Sequence, residues 1–447
     1  MKKKLNFENL GKIHFIGAGG IFMSALIKYC LVAGKKVSGS DKIKSDMTKE
    51  LSRLGAEIYI GHSESNLKSA DAVVYSSAVE TDNPEILKAE KLKIPILKRS
   101  EFLAVILEGY ENVIAVSGCH GKTTTTAMIA HALLCAKKAP TAFIGGRDYK
   151  FGNFLSGAKM YAVSEACEYK KNFLDISPSV AVITNIDNDH IESYNGKSDL
   201  INSFSQFIKP SVAVINADDA NCKAVIRDGC ITYGIDSPAF IRAENVRRGE
   251  GGYSFILSVN GEKKFKVKLN MLGKFNVYNA LATFAACFAL KTDLSAAAEA
   301  LENFSPVERR TEFLGEFSGK KIYADYAHHP NEIKEVLSVF PKDCLIVFQP
   351  HTYSRTKYLK NEFTNVLKTR NTVIYKTYPA REKYQKEGDG YSLYLCLKKN
   401  SPNETYYAKN KTALLKIIRE SSAETVAFIG AGDIYFTAKK FFIDKKT

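Results

Sequence analysis

The chain runs to 447 residues, 45% hydrophobic and 25% charged, a length beyond one hydrophobic core that implies about three domains. No apolar run approaches the ~20 residues that cross a bilayer, and Met1-Lys2-Lys3-Lys4 leads into Leu5-Asn6-Phe7-Glu8 rather than an apolar signal core, so the expectation is a cytoplasmic protein with no membrane role. The net charge of +15 is spread as lysines along the whole chain, with no basic block interleaved with aromatics, which argues against nucleic acid; nine cysteines without a C-x-x-C pair argue against a disulfide framework or a structural zinc site.

The first unit, 1–108, alternates β-branched runs with helix-like stretches, and residues 13–15, 36–39, 57–60, 72–75 and 94–97 read as strands of a parallel α/β unit. After the first strand comes a glycine turn, Gly17-Ala18-Gly19-Gly20-Ile21-Phe22, and Asp41 follows the second strand as a ribose-binding acid would. The third glycine of the dinucleotide fingerprint would fall at Phe22. The turn therefore fits either a nicotinamide dinucleotide or the diphosphate of another nucleotide.

The second unit, 109–305, carries the most informative segment. An apolar run, 113–116, leads into Ser117-Gly118-Cys119-His120-Gly121-Lys122-Thr123-Thr124-Thr125-Thr126 and then an amphipathic helix. This is a phosphate-binding loop: glycines let backbone N–H groups close on phosphate oxygens, Lys122 reaches the terminal phosphates and Thr123 holds a magnesium ion. Val116 stands where the usual Walker spacing has glycine, and the shorter G-x-x-G-K-T form points towards ATP-driven ligases that activate a carboxylate. Cys119 sits where the helix dipole and Lys122 favour a thiolate, although a thiol packed beneath the loop would be inert. Further strands are expected at 161–164, 180–184 and 212–216, and an antiparallel addition over 230–268. At the end of the first of these, Glu165 is placed as a second magnesium ligand and Glu168 as a solvent-facing neighbour; at the end of the next, Asn185-Ile186-Asp187-Asn188-Asp189-His190 gathers hard oxygens and one imidazole. Asn276 and Asn279 lead an alanine-rich helix and lie on one face, where they could read an adenine edge or serve as turn and cap residues.

The third unit, 306–447, has strands expected at 321–324, 345–349, 372–375 and 425–429. Arg309-Arg310, Asp325-Tyr326-Ala327-His328-His329-Pro330 and Gln349-Pro350-His351-Thr352-Tyr353-Ser354-Arg355 sit at or near strand ends, where arginine can grip phosphate or carboxylate. Phe15-Ile16-Gly17-Ala18-Gly19 is echoed by Phe428-Ile429-Gly430-Ala431-Gly432, a tight glycine turn needed twice.

Taken together, the glycine turn with Met23-Ser24, Gly61-His62-Ser63, Ser76-Ser77-Ala78, Lys98-Arg99-Ser100-Glu101, the phosphate loop, Glu165-Ala166-Cys167-Glu168-Tyr169, Asn185 to His190, Asn276 to Asn279, Arg309-Arg310, Asp325 to Pro330 and Gln349 to Arg355 resemble the peptidoglycan Mur ligase family over essentially the whole chain. The resemblance implies an α/β protein of three domains: an N-terminal Rossmann-like domain for UDP, a central P-loop ATPase-type mononucleotide-binding domain, and a C-terminal Rossmann-like domain that closes over ATP and binds the amino acid. It further implies that ATP phosphorylates the lactyl carboxylate of UDP-N-acetylmuramate and that the amine of L-alanine attacks the acyl phosphate, in a monomer or homodimer.

For the UDP-sugar the resemblance implies Gly17, Ala18, Gly19, Gly20, Ser24, Asp41, His62, Ser76, Ser77 and Arg99. For ATP it implies Gly118, Cys119, His120, Gly121, Lys122, Thr123, Thr124, Asn276, Asn279, Arg310 and Asp325. Thr123, Glu165 and His190 would hold Mg2+, with Lys122, Glu165, His190 and Arg355 catalytic; Tyr326, His329 and Arg355 would meet the amino acid. Phe22, Cys119 and Thr352 depart from the family's usual glycine, threonine and arginine. A recycling ligase that attaches L-Ala-γ-D-Glu-diaminopimelate, a binding protein with a relic ATP site, and a UDP-sugar oxidoreductase are the alternatives.

Overall fold

The computed structural model describes residues 5–187, 193–249, 251–380 and 382–443. In the N-terminal part Lys12–Ile16 (β1), Lys36–Asp41 (β2), Glu57–Ile60 (β3), Ala72–Tyr75 (β4) and Ile96–Lys98 (β5) form a wholly parallel sheet in the order β3-β2-β1-β4-β5. Ile21–Val32 (α1), Asp46–Arg53 (α2), Pro84–Lys91 (α3) and Arg99–Leu107 (α4) connect them. The order reverses between β1 and β4, which opens a ligand crevice outside the carboxyl ends of the strands. β5 begins after Pro95 rather than at Ile94, because proline has no N–H to give a ladder.

The central sheet has ten strands: Asn112–Ser117 (β6), Thr141–Asp148 (β7), Gly152–Leu155 (β8), Tyr161–Glu165 (β9), Val180–Ile183 (β10), Val212–Asn216 (β11), Ile231–Gly234 (β12), Ile241–Arg248 (β13), Tyr253–Val259 (β14) and Glu262–Leu269 (β15). Their order is β15-β14-β13-β12-β11-β10-β6-β9-β7-β8. β13, β14 and β15 pair antiparallel, as the alternation of Lys264, Lys266 and Lys268 with Phe265 and Val267 requires. Four helices belong to this part: Lys122–Cys135 (α5), Lys197–Ile208 (α6), Phe275–Ala289 (α7) and Leu294–Glu302 (α8). β6 lies between β10 and β9, so the loop leaving β6 again stands where strand order diverges.

These two sheets form one compact unit, Met1–Met271 with Asn276–Ser305; the other is Leu272–Phe275 with Pro306–Thr447. The second unit holds Glu312–Phe317 (β16), Lys320–Asp325 (β17), Leu345–Phe348 (β18), Thr372–Tyr375 (β19), Thr405–Ala408 (β20) and Thr425–Ile429 (β21), in the order β16-β17-β21-β18-β19-β20. Only β16 is antiparallel. Pro330–Val339 (α9), Tyr353–Tyr358 (α10), Lys360–Leu367 (α11), Gly390–Asn400 (α12), Lys411–Glu420 (α13) and Ile434–Ile443 (α14) complete it. The echoed glycine turn has a common cause: β1 and β21 are each flanked on both sides, and each leaves its sheet through a glycine at positive φ, Gly17 at 83° and Gly430 at 151°. No helix among the described residues is long and apolar enough to cross a membrane.

In the first unit one apolar core runs from Phe7, Phe15 and Phe102 through Tyr29 to Phe143 and Phe173, crossing from the first sheet to the second. A polar seam lies beside it. Fully buried Asn153 donates from Nδ2 to the Ile21 carbonyl at 2.6 Å and to Ser24 Oγ at 2.8 Å, while its Oδ1 accepts from Lys28 Nζ at 2.8 Å. Glu50 accepts from both Lys28 and Arg147, which ties α1, α2 and β7 together. Asn153→Ala should cost about 1–3 kcal/mol, because Ser24 and Lys28 lose a buried partner. The urea midpoint of the first unit checks this, and an unchanged midpoint would show the seam to be energetically idle.

Candidate active site

The phosphate loop follows from two glycines with positive φ. Gly118 (φ 128°) turns the chain out of β6, and Gly121 (φ 83°) is the left-handed N-cap of α5. A side chain on Gly118 would overlap Thr184 Oγ1 and come within 2.7 Å of the Asn185 carbonyl oxygen; one on Gly121 would come within 2.5 Å of Asn279 Oδ1. The end of β10 clamps the loop: Thr184 Oγ1 donates to the His120 carbonyl at 2.6 Å, Asn185 Nδ2 donates to the same oxygen at 3.0 Å, and the His120 N–H donates to Asn185 Oδ1 at 2.9 Å.

Lys122 is largely buried, and its ammonium lies 3.1 Å from Glu168, which is 2% exposed. It also donates to the carbonyls of Gly118 and Cys119. Burial opposes the charge, but the Glu168 carboxylate outweighs it and holds the ammonium pKa above its ordinary value. Glu168 therefore does not face solvent, as its sequence neighbourhood suggested; it is the anion of this site. Cys119 is buried, its S–H donating to the Asp187 carbonyl at 3.2 Å while its sulfur accepts the Asp187 N–H at 3.1 Å. That geometry belongs to a packed thiol, not to the exposed thiolate that the helix dipole suggested.

Glu165 ends β9 beside β6, and its Oε1 accepts the Gly145 N–H at 2.6 Å. A Cβ on Gly145 would lie 2.6 Å from both carboxylate oxygens, so this glycine makes room for the carboxylate. Thr123, in the first turn of α5, supplies a hydroxyl on the same loop. A hydroxyl and a carboxylate are hard oxygen donors of the kind Mg2+ takes, so this donor set fits that ion. His190, with Asn188 and Asp189, lies outside the described residues. Thr124 is buried in the same first turn. Asn276 and Asn279 are buried and share a hydrogen bond at 2.9 Å, and Asn279 Oδ1 accepts from Thr125 Oγ1 at 3.2 Å. Asn279 thus braces α5, and Asn276 holds the Asn279 amide.

At the N-terminal crevice most of the turn's amides are engaged. The N–H groups of Gly17 and Ala18 donate to the Ser40 carbonyl, Gly20 donates to the Gly17 carbonyl, and the Gly19 N–H donates to Asp41 Oδ2 at 2.9 Å. Asp41 thus props the turn open. Ser24 is fully buried and bound to Asn153, an interior role rather than the ligand contact expected of it. Arg99 stacks on the Phe22 ring at 4.6 Å, so the residue in place of glycine becomes a platform for a candidate phosphate-binding cation. Ser76 packs its Cβ against Gly17, and Ser77 is exposed beside it. His62 hydrogen-bonds Ser40 at 2.9 Å.

In the second unit Asp325 is buried and accepts from the N–H groups of Thr311 at 2.7 Å and Ala327 at 2.8 Å. Burial raises its pKa against the pull of Arg310, and its oxygens brace the loop after β17 rather than reaching out for ribose. Arg310 lies over the Tyr326 ring at 5.5 Å. His329 caps α9. Half-buried Arg355 donates to the His351 carbonyl at 3.2 Å, and His351 stacks on Tyr378 at 5.5 Å. Burial, with His328 and Arg355 nearby, pushes the His351 pKa down to about 4, so the ring is neutral at physiological pH. Thr352, in place of arginine, donates to Glu382 Oε1 at 2.6 Å, and the Ser354 N–H donates to the same carboxylate at 2.8 Å. Glu382 carries no motif around it, and only its contacts identify it.

Gly118→Ala should weaken ATP binding at least about tenfold with helix content intact, because the turn cannot form without strain. Titration with a fluorescent ATP analogue, beside far-ultraviolet dichroism, tests this; normal affinity would mean the loop does not need this backbone.

Two family models match the chain: one described as Mur ligase middle domain, over residues 116–287, and one described as Mur ligase family, catalytic domain, over 12–111. The UDP-N-acetylmuramate–L-alanine ligase of Aquifex aeolicus (strain VF5) is 41% identical over 450 residues, which cover 97% of this chain and 98% of that one. Its namesake in Clostridium tetani (strain Massachusetts / E88) is also 41% identical, over 95% of this chain and 96% of its own. Among solved structures, UDP-N-acetylmuramate-alanine ligase from Thermotoga maritima matches with a TM-score of 0.85 at 30% identity, covering 98% of this chain and 99% of that one. A murein peptide ligase from Psychrobacter arcticus 273-4 shares the fold, with a TM-score of 0.72 at 21% identity over 97% and 98% of the two chains. A phosphate loop built on Gly118 and Gly121, a glycine turn propped by Asp41, and near-full-length identity of this order place the chain in the Mur ligase family.

Proposed function

We propose that this protein is the ATP-dependent ligase that joins L-alanine to the lactyl carboxylate of UDP-N-acetylmuramate in peptidoglycan synthesis, working in the cytoplasm and releasing ADP and phosphate. The observation that carries the reading is Lys122, held charged at the mouth of an intact phosphate loop with Glu165 at the end of the neighbouring strand. Identity to alanine-adding ligases over nearly the whole chain supports the choice of substrates.

On this reading Lys122 exchanges Glu168 for the oxygens of the transferring phosphoryl group. The Lys122 charge is worth most when that group is between donor and acceptor, since phosphoryl transfer asks a protein mainly for position and neutralisation. Thr123 and Glu165 would hold Mg2+, with His190 as the imidazole of the same site. When bound, the ion supplies charge neutralisation at the phosphate oxygens. The lactyl carboxylate oxygen takes the γ-phosphoryl group as its bond to ADP breaks. The free amine of alanine then attacks the acyl carbon, phosphate departs, and the amine loses its proton. Arg355 is assigned to the alanine carboxylate, which a guanidinium can grip in a fork.

ADP formation should require UDP-N-acetylmuramate, L-alanine and Mg2+ together; turnover with L-Ala-γ-D-Glu-diaminopimelate and none with L-alanine would reassign the enzyme to tripeptide recycling. Lys122→Ala should lower turnover by about 10³-fold while the chain stays folded. A coupled ADP assay reads both results. Arg355→Ala should raise the KM for alanine at least about tenfold and leave that for ATP nearly unchanged, and equal effects on both would move the acceptor carboxylate elsewhere.

A further inference from the structure

Beneath the N-terminal crevice lies a polar cluster that the proposed chemistry does not use. Glu85, on α3, is completely buried, and so are His14 on β1 and Ser40 on β2. Glu85 Oε2 accepts from His14 Nε2 at 3.0 Å and from Ser40 Oγ at 2.6 Å; its Oε1 accepts from Asn66 Nδ2 at 2.7 Å and from the Ser63 N–H at 3.1 Å. His14 Nδ1 faces Ser38 Oγ at 2.8 Å. His62, in the loop after β3, reaches Ser40 Oγ with Nδ1 at 2.9 Å.

We propose that Glu85, acting through Ser40, is a positioning residue that fixes His62 as the Nδ1–H tautomer and so makes its Nε2 a hydrogen-bond acceptor for a hydroxyl or imide N–H of the UDP-sugar. The inference rests on the reading of this domain as the UDP-sugar site.

An ionised carboxylate can only accept, so the single hydroxyl proton of Ser40 goes to Glu85 across the shortest contact of the cluster. The Ser40 oxygen is then left to accept, and His62 Nδ1 stands at hydrogen-bond distance from it; the same nitrogen lies 3.6 Å from Glu85 Oε1, beyond a hydrogen bond but on the side where the carboxylate favours a proton. A neutral imidazole with hydrogen on Nδ1 has its lone pair on Nε2, at the opposite edge of the ring. Glu85 is kept ionised by its surroundings: burial pushes its pKa up, but His14, Ser40, Asn66 and the Ser63 amide outweigh that and hold it at about 2. The ring stands at the ligand end of the sheet. Ser40 precedes Asp41, the carboxylate that props the glycine turn, and the Gly17 and Ala18 amides donate to the Ser40 carbonyl. One serine therefore links the turn, the buried carboxylate and the imidazole.

The site residues fixed this way read donors. Of the groups UDP offers, the uracil imide N–H can only donate, and a ring whose proton faced outward would meet it as a like donor; a ribose hydroxyl can donate to the same lone pair. The buried carboxylate thus decides which hydrogen-bonding partner the crevice accepts, although it touches no ligand itself.

The test uses the full chain with 15N-labelled histidine at about pH 8, where an ordinary imidazole is neutral. Two-bond 1H–15N spectra of the ligand-free protein should show His62 as the Nδ1–H tautomer, and Ser40→Ala should turn it to Nε2–H. Calorimetry with UDP-N-acetylmuramate and a non-hydrolysable ATP analogue should show Kd rising at least about tenfold in Ser40→Ala, the size expected for one lost hydrogen bond to a paired group. Ser40→Ala leaves the other three donors on Glu85 in place, which preserves the fold; Glu85→Gln should give the same tautomer change if it folds. An Nε2–H tautomer in the parent, or a tautomer unmoved by Ser40→Ala, overturns the proposal. A parent that shows the Nδ1–H form but binds no UDP-sugar refutes the substrate reading instead, since the spectrum is read without ligand. Tighter or unchanged binding in Ser40→Ala, with the tautomer switched, removes the acceptor role.

Discussion

An ammonium group drawn below the surface must keep an anion beside it, and in this protein that constraint organises the phosphate loop. Lys122 lies against Glu168 at 3.1 Å with the loop's own carbonyls around it. The positive charge is thus held in the loop by a carboxylate and two backbone carbonyls. The backbone is built to the same end: Gly118 and Gly121 give the loop its curvature, Thr184 and Asn185 grip the His120 peptide from both sides, and Asn279 stands where a side chain on Gly121 would be. These contacts join β6, β10 and α7 into a frame that holds the loop before phosphate arrives, which is the preorganisation that electrostatic catalysis rewards.

The N-terminal crevice uses the opposite sign of the same device. There the buried charge is a carboxylate, Glu85, and protein donors satisfy it on every side. Asp41 does for the glycine turn what Glu168 does for Lys122: it takes the Gly19 amide that would otherwise be unpaired. A glycine turn is usually read as a row of free amides waiting for a diphosphate, yet in this chain the amides of 17–20 are engaged. What remains for an anion is the first turn of α1 and Arg99 on its Phe22 platform.

Much of this was legible in the sequence. Parallel strands buried on both faces are short β-branched runs, so β1, β4, β10 and β11 read almost to the residue, as did the exposed edge strand β3, and G-x-x-G-K-T announced its loop. β7 and β8 did not, because Gly145 and Gly146 interrupt the pattern; the reason for one of those glycines is Glu165, twenty residues on. β20 is a short edge strand of mixed polarity and offers no periodicity. Side-chain roles failed where they depend on a distant partner. Ser24 looked available until Asn153, 129 residues away, took its hydroxyl; Glu168 looked solvated until it met Lys122; Asp325 looked like a ribose ligand until the Thr311 and Ala327 amides closed on it. Spacing reports which residues share a strand end, whereas partners come from loops that no local pattern ties together.

Cys119 shows how a departure from a family pattern can leave the physics intact. A threonine at this place could donate to the Asp187 carbonyl through its hydroxyl and accept the Asp187 N–H on the same oxygen. The thiol makes both contacts, at 3.2 and 3.1 Å, with a larger and softer atom that a buried position tolerates. At 7% exposure the sulfur offers reagents little to attack. The substitution therefore conserves the tie between the loop and the segment after β10.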